Sequence, residues 1–346
     1  MATVTPADPP LHQAPGRHQA VATDAPPVAA RVAGIVVGLT LVLTVVFIAF
    51  ALPAIKSRPH AVPLGVAGPG ASAAQVEHRL SESAPGGFLV TNYGDEPALR
   101  AAILRRDVYG GIVLTPQGPT VLVAGGGSPV VAQSLTQLGS AMAQQSGAAV
   151  RTEDVAPLPR DDARGIGLSA AALPLTLAGL LPAVALLLAF PRRPWLRTGS
   201  IVVFAGVIAV TVTSLLRFVF GSIDNHFWAV SAGLSLGTLA MGMAVLGLGS
   251  MFGRVGIGIS AATAVLLGNP LSGLAGAPEL LPSGWGAFGQ LLPQGATATL
   301  LRSTAYFPDP FASATATGAM LVLGCWALAG LALIFLAAQR NLRSSQ

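Results

Sequence analysis

Long apolar runs with no charged residue, or in one case a single arginine, dominate this sequence. The first run covers residues 33–52, and a helix of that length rises about 30 Å, the thickness of the hydrocarbon core of a bilayer. Similar runs cover 166–190, 200–220, 228–252 and 314–338. Each of these runs is therefore long enough to be a transmembrane helix.

A weaker run at 255–274 is interrupted by Gly268, Asn269 and Pro270, which break a regular helix. Counting this run gives six transmembrane helices, five of them in a membrane domain over 166–340. The sequence therefore predicts an α-helical integral membrane protein.

Residues 53–165 follow a different pattern, in which short β-type runs alternate with amphipathic helical runs. Asp95 and Ser128 are the predicted N-caps of two of the helices. The pattern predicts an extracytoplasmic α/β domain inserted between the first and second transmembrane helices. Its predicted strands are 61–67, 87–93, 111–115, 120–124 and 150–157, and its predicted helices are 71–83, 96–106 and one that begins at Pro129.

The two ends of the chain are polar. Residues 1–32 are rich in proline and alanine, and we expect a disordered cytoplasmic tail there. A cleaved signal peptide is the alternative for the first apolar run, because Ala49-Phe50-Ala51 resembles a cleavage site. The run is longer than the apolar part of a signal peptide, which favours an uncleaved anchor. Residues 339–346 are predicted to be a second cytoplasmic tail.

The segment 275–313 is apolar but is broken repeatedly by glycine and proline, and its charges are Glu279, Arg302 and Asp309. These breaks exclude a continuous spanning helix, and irregular backbone cannot face lipid. A re-entrant or interfacial helical hairpin is therefore predicted. The alternative is a surface loop that Trp285 and Tyr306 anchor at the level of the lipid headgroups.

The composition agrees with a membrane protein. Only 10% of the residues are charged, against about 25% in soluble domains, and 52% are hydrophobic. One cysteine, Cys325, excludes a disulfide scaffold. The net charge of +5 does not predict nucleic-acid binding, because the basic residues flank apolar runs instead of forming a dense patch. The expected surroundings are a lipid bilayer.

The arginines predict the orientation through the positive-inside preference. Lys56 and Arg58 are exceptions, and they precede the large translocated domain. A ratio of 18 arginines to 1 lysine is typical of a GC-rich bacterial genome, so we expect the bacterial cytoplasmic (inner) membrane, with both termini cytoplasmic. The arginines expected on the cytoplasmic side are Arg17, Arg31, Arg192, Arg193, Arg197, Arg254, Arg340 and Arg343.

No catalytic motif is convincing, so we expect no enzyme activity, cofactor or metal. The only lysine, Lys56, follows Ile55, which excludes a phosphate-binding loop. Ser235 lies in a Gly-x-Ser-x-Gly motif, but no histidine lies in a predicted span to activate it. Gly233 and Gly237 are better interpreted as small residues that permit close helix packing.

A few residues are candidates for transport or packing. Pro174 and Pro182 each remove a backbone hydrogen bond from one span, and the kinks serve either as hinges or for packing. Arg217 either extends to the interface or contacts an anionic group. The candidates are Pro174, Pro182, Arg217, Gly233, Gly237, Asn269, Pro270, Glu279 and Trp285.

Two parts of the chain carry a family resemblance: Asp107–Val113, and the residues from Asn269 to Gly295 that include Pro278–Pro282, Trp285 and Leu291–Gly295. With the order of spans, they resemble ABC-2 exporter permeases, and more closely the phage-infection-protein-like membrane proteins. The resemblance implies a permease subunit that forms a homo- or heterodimer through its membrane helices. It also implies a separate ATPase subunit and export of a hydrophobic or envelope-related solute. The alternative is a membrane-anchored interaction protein whose α/β domain binds a ligand without transport.

Overall fold

The structure is a computed structural model that describes residues 28–116, 118–146 and 149–343. Of the predicted tails, 1–32 and 339–346, residues 1–27 and 344–346 lie outside the described residues, whereas 28–32 and 339–343 belong to helices. The chain divides into two compact units, Met1–Thr44 and Val45–Gln346. Helix α1, Val28–Ile55, begins in the first unit and ends in the second, and its apolar side chains, such as Leu43 and Phe47, are exposed.

A five-stranded sheet follows α1, in the order β2-β1-β3-β4-β5. Strand β1 is parallel to β2 and β3, β3 and β4 form an antiparallel hairpin, and β4 is parallel to β5. Every predicted strand is confirmed within a few residues. The strands are β1 Val62–Ala67, β2 Phe88–Tyr93, β3 Gly110–Thr115, β4 Gly118–Val123 and β5 Arg151–Asp154.

Helices cover both faces of the sheet, because alternate side chains of each strand point to opposite faces. Helices α2, Gly70–Ser83, and α4, Pro129–Ser146, pack on the face that carries Val62 and Val121. Helix α3, Glu96–Leu104, packs on the opposite face through Leu99. A Cβ on Gly65 would collide with Leu99, so glycine permits this close approach.

Both predicted helix caps are confirmed. The Asp95 carboxylate accepts a hydrogen bond from the amide of Ala98 at 2.8 Å, and the Ser128 hydroxyl accepts one from the amide of Val131 at 3.3 Å. These caps satisfy amides that a helix start leaves without a partner.

Five helical stretches are long and apolar enough to cross a membrane, against the six that the sequence predicts. The difference lies at 228–252 and 255–274, which form one helical stretch instead of two spans. The five stretches are Val28–Pro53, Ile166–Ala189, Pro194–Val219, Phe227–Gly268 and Ala314–Arg340.

The fourth stretch reverses direction at Gly253, whose backbone is not helical (φ 58°, ψ −133°). A Cβ on Gly256 would collide with the carbonyl of Leu248, and one on Gly249 would lie 3.2 Å from Ile257. Residues eight apart in a straight helix would be about 12 Å apart. Helix α8, Phe227–Ala262, therefore has a first arm, 227–252, and a second arm that continues as a π-helix to Gly268.

The second arm has 15 residues, 254–268, and rises only about 22 Å, so it is too short to span alone. The chain then continues through a 3-10 turn, Pro278–Leu280, and helices α9, Trp285–Gln290, and α10, Pro293–Tyr306. Most side chains of α10 are buried, so residues 293–306 do not form the surface loop that was the alternative for 275–313.

The remaining helices are α5, Ile166–Ala170, α6, Ala172–Ala189, α7, Pro194–Ser214, which continues as a π-helix to Val219, and α11, Ala314–Arg343. The first arm of α8 contacts α6, α7, α10 and α11. The helices have a sheet end, where α8 and α11 begin, and an arginine end, which carries Arg192, Arg197, Arg254 and Arg340.

Candidate functional site

A cleft of about 590 Å³ lies between the sheet and the helices at the sheet end. His60, Arg106 and Tyr109 line it from the sheet side, and Glu279 and Thr315 line it from the helical side. A side pocket of about 110 Å³ belongs to this cleft and shares Arg106, Tyr109 and Glu279 with it. Ionisable side chains from distant parts of the sequence are therefore brought together at one junction.

Arg106 connects the sheet domain to α10. It follows the C-cap of α3 with a left-handed backbone (φ 63°), a position that normally takes glycine because other side chains are strained there. Its guanidinium donates to the carbonyl of Thr299 at 2.8 Å and to the hydroxyl of Ser303, and lies 5.3 Å from the ring centre of Phe307. The strained backbone thus places a cation against α10.

A second connection joins Tyr109 to Glu279. The Tyr109 hydroxyl donates to Glu279 Oε2 at 2.8 Å. Burial, and then the Glu279 carboxylate, raise the pKa of Tyr109, so the hydroxyl stays a neutral donor. The amides of Arg58 and His60 donate to the carbonyls of Leu280 and Glu279, so the 3-10 turn is also fixed by backbone pairing.

Arg302 holds the loop 271–277 against α10. It is only 4% exposed, and its guanidinium donates to the carbonyls of Gly273 at 3.0 Å and Leu274 at 2.5 Å. A guanidinium keeps its positive charge at neutral pH, so Arg302 is a buried cation. Among the described residues, this cation is hydrogen-bonded to two carbonyl oxygens and to no carboxylate.

A second, much smaller cavity of about 30 Å³ lies between the helices. That volume is enough for one or two water molecules. Gln290 connects it to the cleft, because its side chain lines the cleft and donates to the carbonyl of Ser272, which lines the smaller cavity. The polar residues around this middle cavity are Thr176, Thr238, Asn269, Ser272, Gln294 and Thr297.

A third cavity of about 470 Å³ lies at the arginine end. Buried apolar residues, including Leu180, Ala183 and Val245, pack between it and the middle cavity. On α11 the cleft reaches Val322 and the third cavity begins at Ile334, a separation of about 18 Å along the helix. The three cavities therefore follow one another along the helices, with Gln290 between the cleft and the middle cavity and a packed apolar cluster between the middle cavity and the third.

Four of the predicted residues lie at the cavities or in the helix contacts beside them. Asn269 and Gly237 line the middle cavity, and Glu279 lines the cleft. Gly237 packs so closely on Thr297 that a Cβ would collide with it. A Cβ on Gly233 would lie 3.4 Å from Leu300, so both glycines face α10.

Pro182 lies inside α6, whereas Pro174 does not produce an interior kink. Pro174 is the third residue of α6, where a helix amide has no carbonyl partner. The helical stretch is instead interrupted at Ala171, between α5 and α6, because a proline ring excludes the carbonyl four residues before it.

The other predicted residues lie outside the cavities. Arg217 donates to the carbonyl of Asp224 at 2.6 Å, so its partner is the loop at the sheet end. Pro270 is half-buried beyond the second arm of α8, and Trp285 is an exposed residue at the start of α9. The structure therefore does not bring these three residues together with Glu279.

Sequence reasoning did not single out Arg106, Arg302, Gln290 or Gln294 as site residues. One usable signal is that the helix ending at Leu104 is followed by arginines instead of a glycine. For the others the signal is weak, because a polar residue in a broken apolar segment does not show which way it faces. Among the described residues, no group of acidic, histidine or cysteine side chains could hold a metal ion.

Comparisons with protein-family models, with curated proteins and with solved structures give no match for this chain. The resemblance to ABC-2 permeases therefore stays a prediction from the residues.

Proposed function

We propose that this chain is a membrane permease subunit of an ABC-2-like exporter. The observation that carries the proposal is the series of three cavities along the helices, in which a packed apolar cluster closes the middle cavity from the cavity at the arginine end. A solute route in a permease needs such an occluded arrangement, whereas helices that serve only as an anchor do not.

The arginine end faces the cytoplasm in this proposal, and the sheet lies outside. The helices carry no acidic residue between Asp162 and Asp224, between Asp224 and Glu279, or after Asp309, so the arginines of that end are not neutralised by neighbours in sequence. The second arm of α8 and the segment 269–313 together make one composite crossing. Six crossings of a bacterial inner membrane then place both termini in the cytoplasm.

The route changes character along its length. The cleft is charged, the middle cavity has small polar side chains, and the cavity at the arginine end has apolar walls. This succession suits a hydrophobic or envelope-related solute with a polar group. A separate ATPase subunit supplies the energy, since the sequence contains no phosphate-binding loop, and a second subunit pairs with the membrane helices.

The second candidate is a membrane-anchored interaction protein, which is favoured by a groove of about 770 Å³ on the sheet domain. Ile112 and Leu114 form its floor between α2 and α4, and Arg79 and Glu82 lie on its rim. An apolar groove with a polar rim is typical of a ligand-binding surface. In this alternative the helices carry no solute.

Cysteine accessibility separates the two candidates. In a Cys325→Ser background, Thr297→Cys places a thiol at the middle cavity, and Ala209→Cys places one in a packed core away from the cavities. A cationic, membrane-impermeant methanethiosulfonate is applied to right-side-out and inside-out vesicles. A permease predicts that Thr297→Cys reacts from both sides and that Ala209→Cys reacts from neither.

Protection of Thr297→Cys from both sides, with a folded protein, would favour the anchor. Copurification of an ATPase with the full-length chain tests the energy source separately.

A further inference from the structure

The cavity at the arginine end has features of a binding site that the proposed transport does not require. Leu187, Ile257 and Ile334 contribute apolar walls. Arg192 and Arg254 are exposed at its mouth, and Arg197 lines its interior. The cavity therefore combines an apolar interior with a concentration of positive charge.

Arg197 is a buried cation with very few partners. It is only 6% exposed, and a guanidinium has five N–H donors. Among the described residues, the guanidinium of Arg197 makes a single hydrogen bond, from Nη2 to the Ser250 hydroxyl at 3.1 Å. A buried charge is unfavourable unless it is paired and hydrogen-bonded.

Residues 28–116, 118–146 and 149–343 place no carboxylate in the lining of the cavity around this cation. The walls of the cavity come from residues 187–197, 249–257 and 334–342, and none of these segments contains an aspartate or a glutamate. The start of α7 adds further positive potential, because no side chain caps it and it lies at the cavity through Pro194 and Trp195. The described part of the chain therefore gives Arg197 no anionic partner.

We propose that this cavity binds a phosphate-bearing anion, with Arg197 as its buried ligand and Arg192 and Arg254 at its mouth. Guanidinium groups match phosphate oxygens in both charge and geometry. The apolar walls suit the hydrocarbon part of an anionic phospholipid, and the same arginines suit free phosphate. The site does not depend on transport, so it can be tested on the purified chain alone.

The test measures binding of phosphatidylglycerol to the full-length chain by native mass spectrometry from detergent. Arg197→Gln is compared with Arg193→Gln, which removes the same charge from an exposed neighbour that does not line the cavity. We expect Arg197→Gln to weaken the tightest lipid binding about tenfold or more, and Arg193→Gln to change it less than about twofold. Arg197→Lys should keep part of the affinity, because it keeps the charge.

Competition with inorganic phosphate identifies the source of the anion. Lipid that stays bound in excess phosphate indicates a headgroup site, and lipid that is displaced indicates a site for a soluble phosphate. If Arg197→Gln does not fold, Arg254→Gln at the exposed mouth replaces it, with an expected loss of about threefold. The proposal would be overturned if the variant tested, Arg197→Gln or Arg254→Gln, bound lipid as tightly as the wild type. It would also be overturned if that variant and Arg193→Gln lost the same amount of affinity.

Discussion

Arg106 offers the sharpest test of how the sheet is attached to the helices, because its backbone and its side chain act in opposite directions. Its left-handed backbone is unfavourable for an arginine, whereas its guanidinium binds α10. Arg106→Ala removes the guanidinium and keeps the strain. Arg106→Gly removes both.

The guanidinium contributes the larger effect. A hydrogen bond to a charged group contributes about 1.5–3 kcal/mol, and Arg106 makes two of them. Its loss leaves neither partner without a hydrogen bond, because the Ser303 hydroxyl still donates to the Thr299 carbonyl at 3.1 Å. Burial of the cation is unfavourable and lowers the pKa of Arg106, and removing the guanidinium ends that cost. We therefore expect Arg106→Ala to weaken the attachment by about 2–3 kcal/mol.

The backbone contributes the smaller effect. A left-handed residue other than glycine costs about 1 kcal/mol, and alanine retains that cost. Arg106→Gly should therefore weaken the attachment by only about 1–2 kcal/mol. The difference of about 1 kcal/mol between the two variants isolates the backbone strain.

Native-state hydrogen exchange measures these energies locally. The amides of Arg106 and Asp107 donate to the carbonyls of Ile103 and Ala102, so their exchange reports opening of this turn. Their exchange should be about 30–150 times faster in Arg106→Ala and about 5–30 times faster in Arg106→Gly. Arg105→Ala, which removes an exposed ion pair, is the matched control and should change exchange less than about threefold.

An Arg106→Gly variant that is protected as well as the wild type would refute the reasoning, because the guanidinium contacts would then contribute only as much as the strain costs, about 1 kcal/mol. An Arg106→Ala variant that exchanges no faster than Arg106→Gly would refute the assigned strain.

Two further predictions concern packing and pH. A Cβ on Gly330 would collide with the backbone of Met243, so Gly330→Leu should lower stability by about 1–3 kcal/mol and lower the midpoint of thermal unfolding in detergent. Gly324→Leu is the control, because a Cβ on Gly324 meets no atom within 4 Å, and it should not lower the midpoint. Equal midpoints for the two variants would contradict the close contact of α8 and α11. Burial raises the pKa of Asp154 despite two amide donors, so the folded state binds this proton more tightly than the unfolded state. The thermal midpoint of Asp154→Asn should therefore exceed that of the wild type by the largest amount at neutral pH, and this difference should shrink as the pH falls through the raised pKa. A difference that grows on acidification would contradict the shift.

The sheet domain was the most predictable part, because its signals are local. The alternation of strands, the Asp95 cap and the hairpin around Pro116 each depend on a few adjacent residues. The apolar runs likewise predicted most of the long helices. Their ends were less accurate, as α7 begins at Pro194 and not at residue 200.

The reversal at Gly253 and the cleft could not be predicted in the same way. Several glycines precede Gly253 inside the first arm of α8 and are helical, so the sequence does not show which glycine turns the chain. The cleft joins Arg106 to Ser303 and Tyr109 to Glu279, pairs that are far apart in sequence. Such contacts depend on how the sheet is docked onto α10, which no local pattern records.

The most direct test of the whole account is whether the sheet and the arginine end lie on opposite sides of one membrane. In the Cys325→Ser background, Gln137→Cys on α4 and Arg254→Cys at the turn of α8 each provide an exposed thiol. An impermeant thiol reagent should label only Gln137→Cys in right-side-out vesicles and only Arg254→Cys in inside-out vesicles. Labelling of both positions from the same side would contradict the membrane-spanning arrangement and the solute route proposed along it.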